Sequence, residues 1–259
     1  MPNRLRRRPA FKPPPATALN LDDPLTYGLV GLWALSEGGG IKLTDAAGLN
    51  SIAAVFTGTI TWAAGPNGPA LKFASVGNNV SLGNAHPIAT NAVTVAIWIR
   101  PAVLTRGDLV TCWLNGSGND QFDLLYGLTS GKPQFFVNTN GGLSSSGVGA
   151  TAMVVGRWYH VCGTYDGATI RTYLNGVLQA SAALASVLKS GVAVPIKLGN
   201  NHAGDGTFQG AMAGAAIWNR TLKASEIRDL YSEPTRPFVV PRLGLRNSPD
   251  GQPFMGIFF

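Results

Sequence analysis

The 259-residue chain is 45% hydrophobic and only 13% charged, with 33 Gly and 17 Pro, a loop-rich β composition that excludes a helical bundle, a coiled coil and a wholly disordered chain. It is long enough to bury a core without metal or disulfide staples, as one large β domain or two small ones. The formal charge of +7 is local: Arg4, Arg6, Arg7, Arg8 and Lys12 carry +5 of it within the first dozen residues, so the basicity marks an arm and leaves a neutral body.

Residues 1–26 read as that arm, Arg-rich and then Pro-rich at Lys12-Pro13-Pro14-Pro15, extended and unpacked on its own. Its prolines interrupt any apolar run, so no secretory signal is expected, and no stretch of the chain approaches the ~18 apolar residues of a membrane span. An arm of this kind binds acidic surfaces. Without aromatic interleaving or a recognition element, it favours an acidic protein partner over nucleic acid.

The body, residues 27–232, reads as short strands separated by Gly, Asn and Asp turns, the pattern of a sandwich or barrel. In Val93 to Arg100 the branched residues Val93, Val95, Ile97 and Ile99 fall on one face at period two, and Pro101 closes the strand. Trp158 to Tyr165 forms another strand, closed by Asp166-Gly167. Thr169 to Leu174 reverses at Asn175-Gly176 into Val177-Leu178-Gln179, and Asn-Gly between two such runs is a strong hairpin signal. A last strand near Ala211 to Trp218 leads into a helix at about 223–231, with Ile227 and Tyr231 on one face and Leu230 beside them. The tail, 233–259, is Pro-rich and ends in Phe254-Met255-Gly256-Ile257-Phe258-Phe259. Such a terminus either packs back on the body or docks on a partner.

In this order the pieces resemble the laminin-G-like branch of the concanavalin A-like jelly rolls. The resemblance runs through Gly28 to Trp33 with Ser36-Glu37-Gly38-Gly39-Gly40 and Asp45, then Gly68 to Phe73, Val93 to Pro101, Gly156 to Val161, Tyr165-Asp166-Gly167, Leu174 to Val177, and Phe208-Gln209-Gly210 to Arg220. It implies an all-β, two-sheet antiparallel sandwich with one short C-terminal helix and extended arms. The family's helix usually begins on a capping Ser; Lys223 stands there and cannot accept a bond, although Glu226 can reach back to its N–H. A slightly frayed first turn is expected. Pro24 to Val30 before the first strand, and Leu230 to Pro234 with Arg236-Pro237-Phe238 after the helix, look like stand-alone members found in tailed phages.

Catalytic constellations are not legible. The glutamates are Glu37, Glu226 and Glu233, in a turn, a helix and a tail, so no carboxylate pair for glycoside hydrolysis is expected. Asp120 and Asp123 lie three apart, would face opposite sides of a strand, and read as a solvated loop edge. His160 and Cys162 share a strand face and read as core or sheet-face residues. Cys112 and Cys162 are expected to be reduced and buried. The resemblance also raises calcium, but Gly199 to Gly206 offers a single carboxylate, so Asn200 and Asp205 are weak ligand candidates, and an Asn/Asp-stabilised turn is the simpler expectation. No cofactor is expected.

Glycan binding would use aromatic faces beside amides. Its candidates are Trp113 with Asn115 and Asn119, Tyr126, and Asn138 with Asn140 at the rim; Trp33, Trp98, Trp158 and Trp218 are assigned to the core, and Trp62 and Trp113 stand between surface and core. The reading is a non-enzymatic virion structural protein of a tailed phage, a capsid decoration or tail-surface component present in many copies. Arg4, Arg6, Arg7, Arg8, Lys12, Phe254, Phe258 and Phe259 would dock on other virion proteins, and the outer loops would meet host glycans. A carbohydrate-binding module, with or without calcium, is the alternative.

Overall fold

The computed structural model describes residues 17–48, 54–84, 88, 90–114, 120–127, 131–189, 194–201 and 203–238, together with the backbone of a C-terminal strand pair. In chain order the strands are β1 (Leu29–Trp33), β2 (Val55–Thr57), β3 (Ile60–Ala64), β4 (Pro69–Phe73), β5 (Asn79–Asn84), β6 (Val93–Pro101), β7 (Gly107–Cys112), β8 (Phe122–Tyr126) and β9 (Pro133–Thr139). They continue with β10 (Gly142–Ser145), β11 (Tyr159–Tyr165), β12 (Thr169–Leu174), β13 (Val177–Ala183), β14 (Pro195–Leu198) and β15 (Gly210–Trp218); helix α1 (Ala224–Ser232) follows, then β16 (Arg242–Asn247) and β17 (Pro253–Phe258).

Two antiparallel sheets face one another. One runs β13-β12-β11-β6-β15-β4-β3, with β1 also paired to the second half of β15, and the other runs β10-β9-β8-β7-β14-β5-β2. The alternation read in β6 holds: Val93, Val95, Ile97 and Ile99 are fully buried between the sheets, against Phe122, Leu124, Tyr126, Phe135 and Val137 of the opposite layer. Each such side chain contributes roughly 1.5–3 kcal/mol over its exposed state, so this interlayer packing dominates the fold. Gly163 lies where a Cβ would come within 2.3 Å of the Phe135 ring, which is how the aromatic fits between the layers. The Asn175-Gly176 reversal is also as read, with φ of 51° and 78° at its two central residues, the geometry of a two-residue hairpin turn.

Helix α1 packs on the outer face of the larger sheet, burying Ile227 and Leu230 beside Ala96, Cys162, Ala216 and Trp218. Lys223 makes no side-chain cap bond; its N–H donates to Glu226 Oε2 at 2.7 Å, so the helix starts on half of a capping box. Glu226 is also gripped by Arg220 at 2.7 and 3.0 Å. Trp33 and Trp218 are core residues, but Trp98 and Trp158 are not. They sit half-buried on this outer face, where Trp98 stacks on Tyr231 and Arg100 lies over Trp158, because strand alternation sends them away from Ile97 and Ile99.

Residues 17–26, read from sequence as the end of an unpacked arm, are packed. Leu25 is buried, its carbonyl accepts from Trp218 Nε1 at 2.6 Å, and Arg236 bridges Asp23 and Asp229 at 2.6 Å each. Leu19 pairs with Phe238 as an isolated β-bridge, so the chain enters and leaves the sandwich at one place. Of the anchoring residues expected from sequence, Arg4, Arg6, Arg7, Arg8, Lys12 and Phe259 lie outside the described residues, as do the side chains of Phe254 and Phe258. The backbone around the last two forms the β16–β17 hairpin, with Arg246 opposite Phe254 and Arg242 opposite Phe258.

Candidate functional site

The outer face of the seven-stranded sheet carries an unusual density of buried polar groups. Strand pairing sets Ser81, Lys197, Thr111, Asp123, Phe136 and Ser145 in one row across six strands, with Asp108, Leu125 and Gln134 in another. Asp108 reaches this face through a register irregularity. Between Asp108 and Val110 the pairing with β8 slips, so Leu109 and Val110 both enter the core and Asp108 turns outward.

Arg106, just before β7, ties the site together. Its Nε and Nη2 donate to Asp108 at 3.0 and 3.2 Å, its Nη1 to Asp205 at 3.2 Å, and Nη2 lies 3.8 Å from Asp123. Asp205 is held in turn by Asn201 Nδ2 at 2.6 Å, and Asn201 accepts from the Gly204 N–H at 2.8 Å. The loop at 199–206 is therefore the Asn/Asp-stabilised turn expected from sequence, and it lies over the sheet face, with Asp108 N–H donating to the Gly206 carbonyl at 2.6 Å. A Cβ on Gly206 would lie 1.8 Å from Asp108 Oδ2, a carboxylate already fixed by Arg106. Glycine is required at that contact.

Burial raises the Asp108 carboxyl to about 6 against the opposing pull of Arg106. It raises Asp123 well above the carboxylate range, with the Asp108 charge adding to the effect. Asp123 Oδ1 has no hydrogen-bond partner among the described residues. Beside this group, Trp113, Leu125, Phe136 and Leu143 join Arg106, Asp123, Asn201 and Asp205 around a cavity of about 210 Å³. The cavity combines an aromatic edge, an apolar floor and convergent polar groups, which is the make-up of a small-ligand site.

This geometry corrects several expectations. Asp120 and Asp123 are not a solvated loop edge: both are buried, Asp120 as acceptor for the Leu114 N–H and Asp123 on the sheet face. Asp108 and Asp123, on the paired strands β7 and β8, both lie near Arg106, a grouping that the sequence did not announce. Tyr126 is not a glycan platform. It follows Phe122 and Leu124 into the core, fully buried, with its hydroxyl donating to the Val103 carbonyl at 2.9 Å. Asn138 is buried on the sheet face, opposite Leu143, and is not at an open rim, whereas Asn140 is exposed. Trp113 does line the cavity, while Asn115 and Asn119 lie outside the described residues. Trp62 lines a shallow depression with Gly38 and Pro69, its Nε1 donating to the Gly40 carbonyl at 3.0 Å.

The structure places the two calcium candidates in different settings, and Asn200 Oδ1 has no hydrogen-bond partner among the described residues. Asn200 is buried, and the Asp205 carboxylate is engaged by Asn201 and by a guanidinium that a dication would have to displace. Among the described residues no group of three or more His, Cys, Asp or Glu is arranged to hold a metal ion. His160 and Cys162 are buried as expected from sequence: burial lowers the imidazole to about 3 and raises the thiol, so neither carries charge at neutral pH. Cys112 is likewise a buried free thiol. No helix among the described residues is long and apolar enough to cross a membrane.

No curated protein matches the chain in sequence. Among solved structures, the chain is similar to domain 4 of AbnA, a GH43 extracellular arabinanase from Geobacillus stearothermophilus, in complex with arabinotriose, at 20% identity and a TM-score of 0.63, over 78% of this chain and 98% of that one. It is also similar to the binding domain of Paraclostridial Mosquitocidal Protein 1, at 17% identity and a TM-score of 0.61 over 80% of this chain. The binding domain of botulinum neurotoxin DC in complex with SialylT follows, at 11% identity and 0.59 over 80%. The chain covers 52% of each of these two toxin domains. At such identities the likeness is one of fold. The family model for the concanavalin A-like lectin/glucanases superfamily matches residues 74–228, well over half of the chain and most of the sandwich, and the chain belongs to that family.

Proposed function

We propose that the sandwich is a non-catalytic carbohydrate-binding domain whose site is the cavity beside Trp113. The observation that carries this reading is the meeting of an aromatic edge with Asn201, Asp205 and Asp123 in one recess, since sugars present an apolar ring face and a rim of hydroxyls. The arabinotriose complex of the similar arabinanase domain supports it as an analogy of fold. One acid of the group is removed from any hydrolytic role. Asp108 is sealed from solvent with both oxygens on Arg106, so it can neither reach a glycosidic oxygen nor activate water. A glycan array tests the proposal. The chain should bind a subset of immobilised oligosaccharides, and Trp113→Ala should weaken that binding at least tenfold while leaving thermal unfolding intact. Silence across the array would sink the reading.

A second reading concerns the extensions. We propose that the domain is a multicopy component of a tailed-phage particle, held to capsid or tail proteins by residues 1–16 and 239–259. The meeting of both chain ends at the Leu19–Phe238 bridge supports this, because it sends both extensions from one place on the sandwich. Mass spectrometry of purified particles should find the chain in many copies, and deletion of residues 1–16 should abolish incorporation. Its absence from particles would leave only the binding-domain reading.

A further inference from the structure

The charges around the cavity constrain which sugars it can accept. Arg106 is the only base lining it among the described residues, and each of its three nitrogens is directed at a carboxylate of the protein: Nε and Nη2 at Asp108, Nη1 at Asp205. Lys197 stands two strands from Asp123 along the same row and does not line the cavity. Three carboxyl groups therefore surround one guanidinium. Burial makes Asp123 hold its proton more tightly than an ordinary carboxyl and raises Asp108 to about 6, so above that pH the Asp108 carboxylate occupies Arg106 from within while Asp205 faces the opening.

An entering sugar carboxylate would meet the Asp205 charge, which is well exposed at 61% of its side-chain surface. Nε and one N–H of Nη2 are held by the completely buried Asp108, so to gain a cation the sugar carboxylate would have to compete for the outer N–H groups of Nη1 and Nη2 with Asp205 and with Asp123, 3.8 Å from Nη2. A neutral sugar meets neither obstacle. Its hydroxyls can donate to the oxygens of Asp205 and can exchange hydrogen bonds in either direction with the Asp123 carboxyl, whose buried Oδ1 has no partner among the described residues. The apolar ring face then has Trp113 and Phe136 to lie against.

Resting on the carbohydrate-binding reading above, we infer that the cavity selects uncharged sugar residues and rejects acidic ones, with Asp205 as the specificity-determining residue at its mouth and the Asp123 carboxyl as the group that meets the sugar hydroxyls deeper in. The test uses the full chain on a paired array in which each backbone appears in neutral and acidic form: galactan and galacturonan, glucan and glucuronan, lactosamine and sialyl-lactosamine. At pH 8 and low salt, the neutral member of any bound pair should bind at least tenfold more tightly. Asp205→Asn should narrow that gap several-fold, read as the ratio of acidic to neutral affinity within each pair, and Asp123→Ala should weaken neutral binding itself. Acidic members bound as tightly as neutral ones, or a gap unmoved by Asp205→Asn, overturn the inference and leave glycan binding standing. A chain with normal thermal unfolding that binds no member of any pair overturns the carbohydrate-binding reading and this inference with it.

Discussion

His160 shows how one buried side chain sets a pH limit on the fold. It is packed between Trp98 and Tyr231, at ring-centroid distances of 5.4 and 6.3 Å, and burial lowers it to about 3 from its ordinary 6.5. The unfolded chain therefore takes the proton first, so this contribution to stability is complete above pH 6.5 and lost as pH falls towards 3. Asp108 acts in the opposite sense. Raised from 3.8 to about 6, it contributes stability below pH 4 that disappears as pH rises through 6. Replacement isolates the histidine: between pH 7 and pH 4.5, wild type should lose about 2–3 kcal/mol more than His160→Phe in urea titrations. Parallel losses would mean that His160 is not the group responsible. Tyr126 makes a different point at the same scale. Its aromatic ring suggested a glycan surface, yet Phe122, Leu124 and Tyr126 alternate, and counting that period would have placed it in the core.

Among the elements, helix α1 is the clearest case of a sequence departure with a structural consequence. Its start relies on Glu226, which serves both the Lys223 N–H and Arg220, while the position that usually carries an accepting side chain is a lysine. Lys223→Ser should supply the missing acceptor and raise stability by about 0.5–1 kcal/mol, read as a shift in the urea midpoint; no gain would show that the first turn is already satisfied. The strands were legible because Val93, Val95, Ile97 and Ile99 repeat at a period that only a half-buried strand satisfies, and because Asn175-Gly176 permits one kind of reversal. The site was not. Arg106 and Asp205 are 99 residues apart, and Asp108 faces outward only because the pairing of β7 slips at Leu109, which no local period announces. Trp113 could be named from sequence as a candidate, but the acids that complete its recess come together through tertiary structure alone.

For the molecule as a whole, the boundary of the folded body differs from the change in composition. Proline and charge suggested 27–232, whereas Leu25, Asp23, Arg236 and Phe238 extend the packed unit to at least 19–238. A chain trimmed to 17–238 should unfold at nearly the temperature of the full chain. One trimmed to 27–232 should lose about 3–5 kcal/mol, because it uncovers Trp218 and Leu230 and removes Leu25 and Phe238 from an apolar cluster. Equal unfolding temperatures for the two trimmed chains would refute the wider boundary.

The Leu19–Phe238 bridge also decides how the molecule would bear a load. Tension applied through the two extensions would meet at adjacent points and act on the seam between residues 17–26 and 233–238 before reaching either sheet. The sandwich would be spared the shear that a domain with ends at opposite poles must carry. A pull on one extension alone would turn the whole body about that seam, so the recess beside Trp113 could reorient towards a surface without any strand leaving its neighbour.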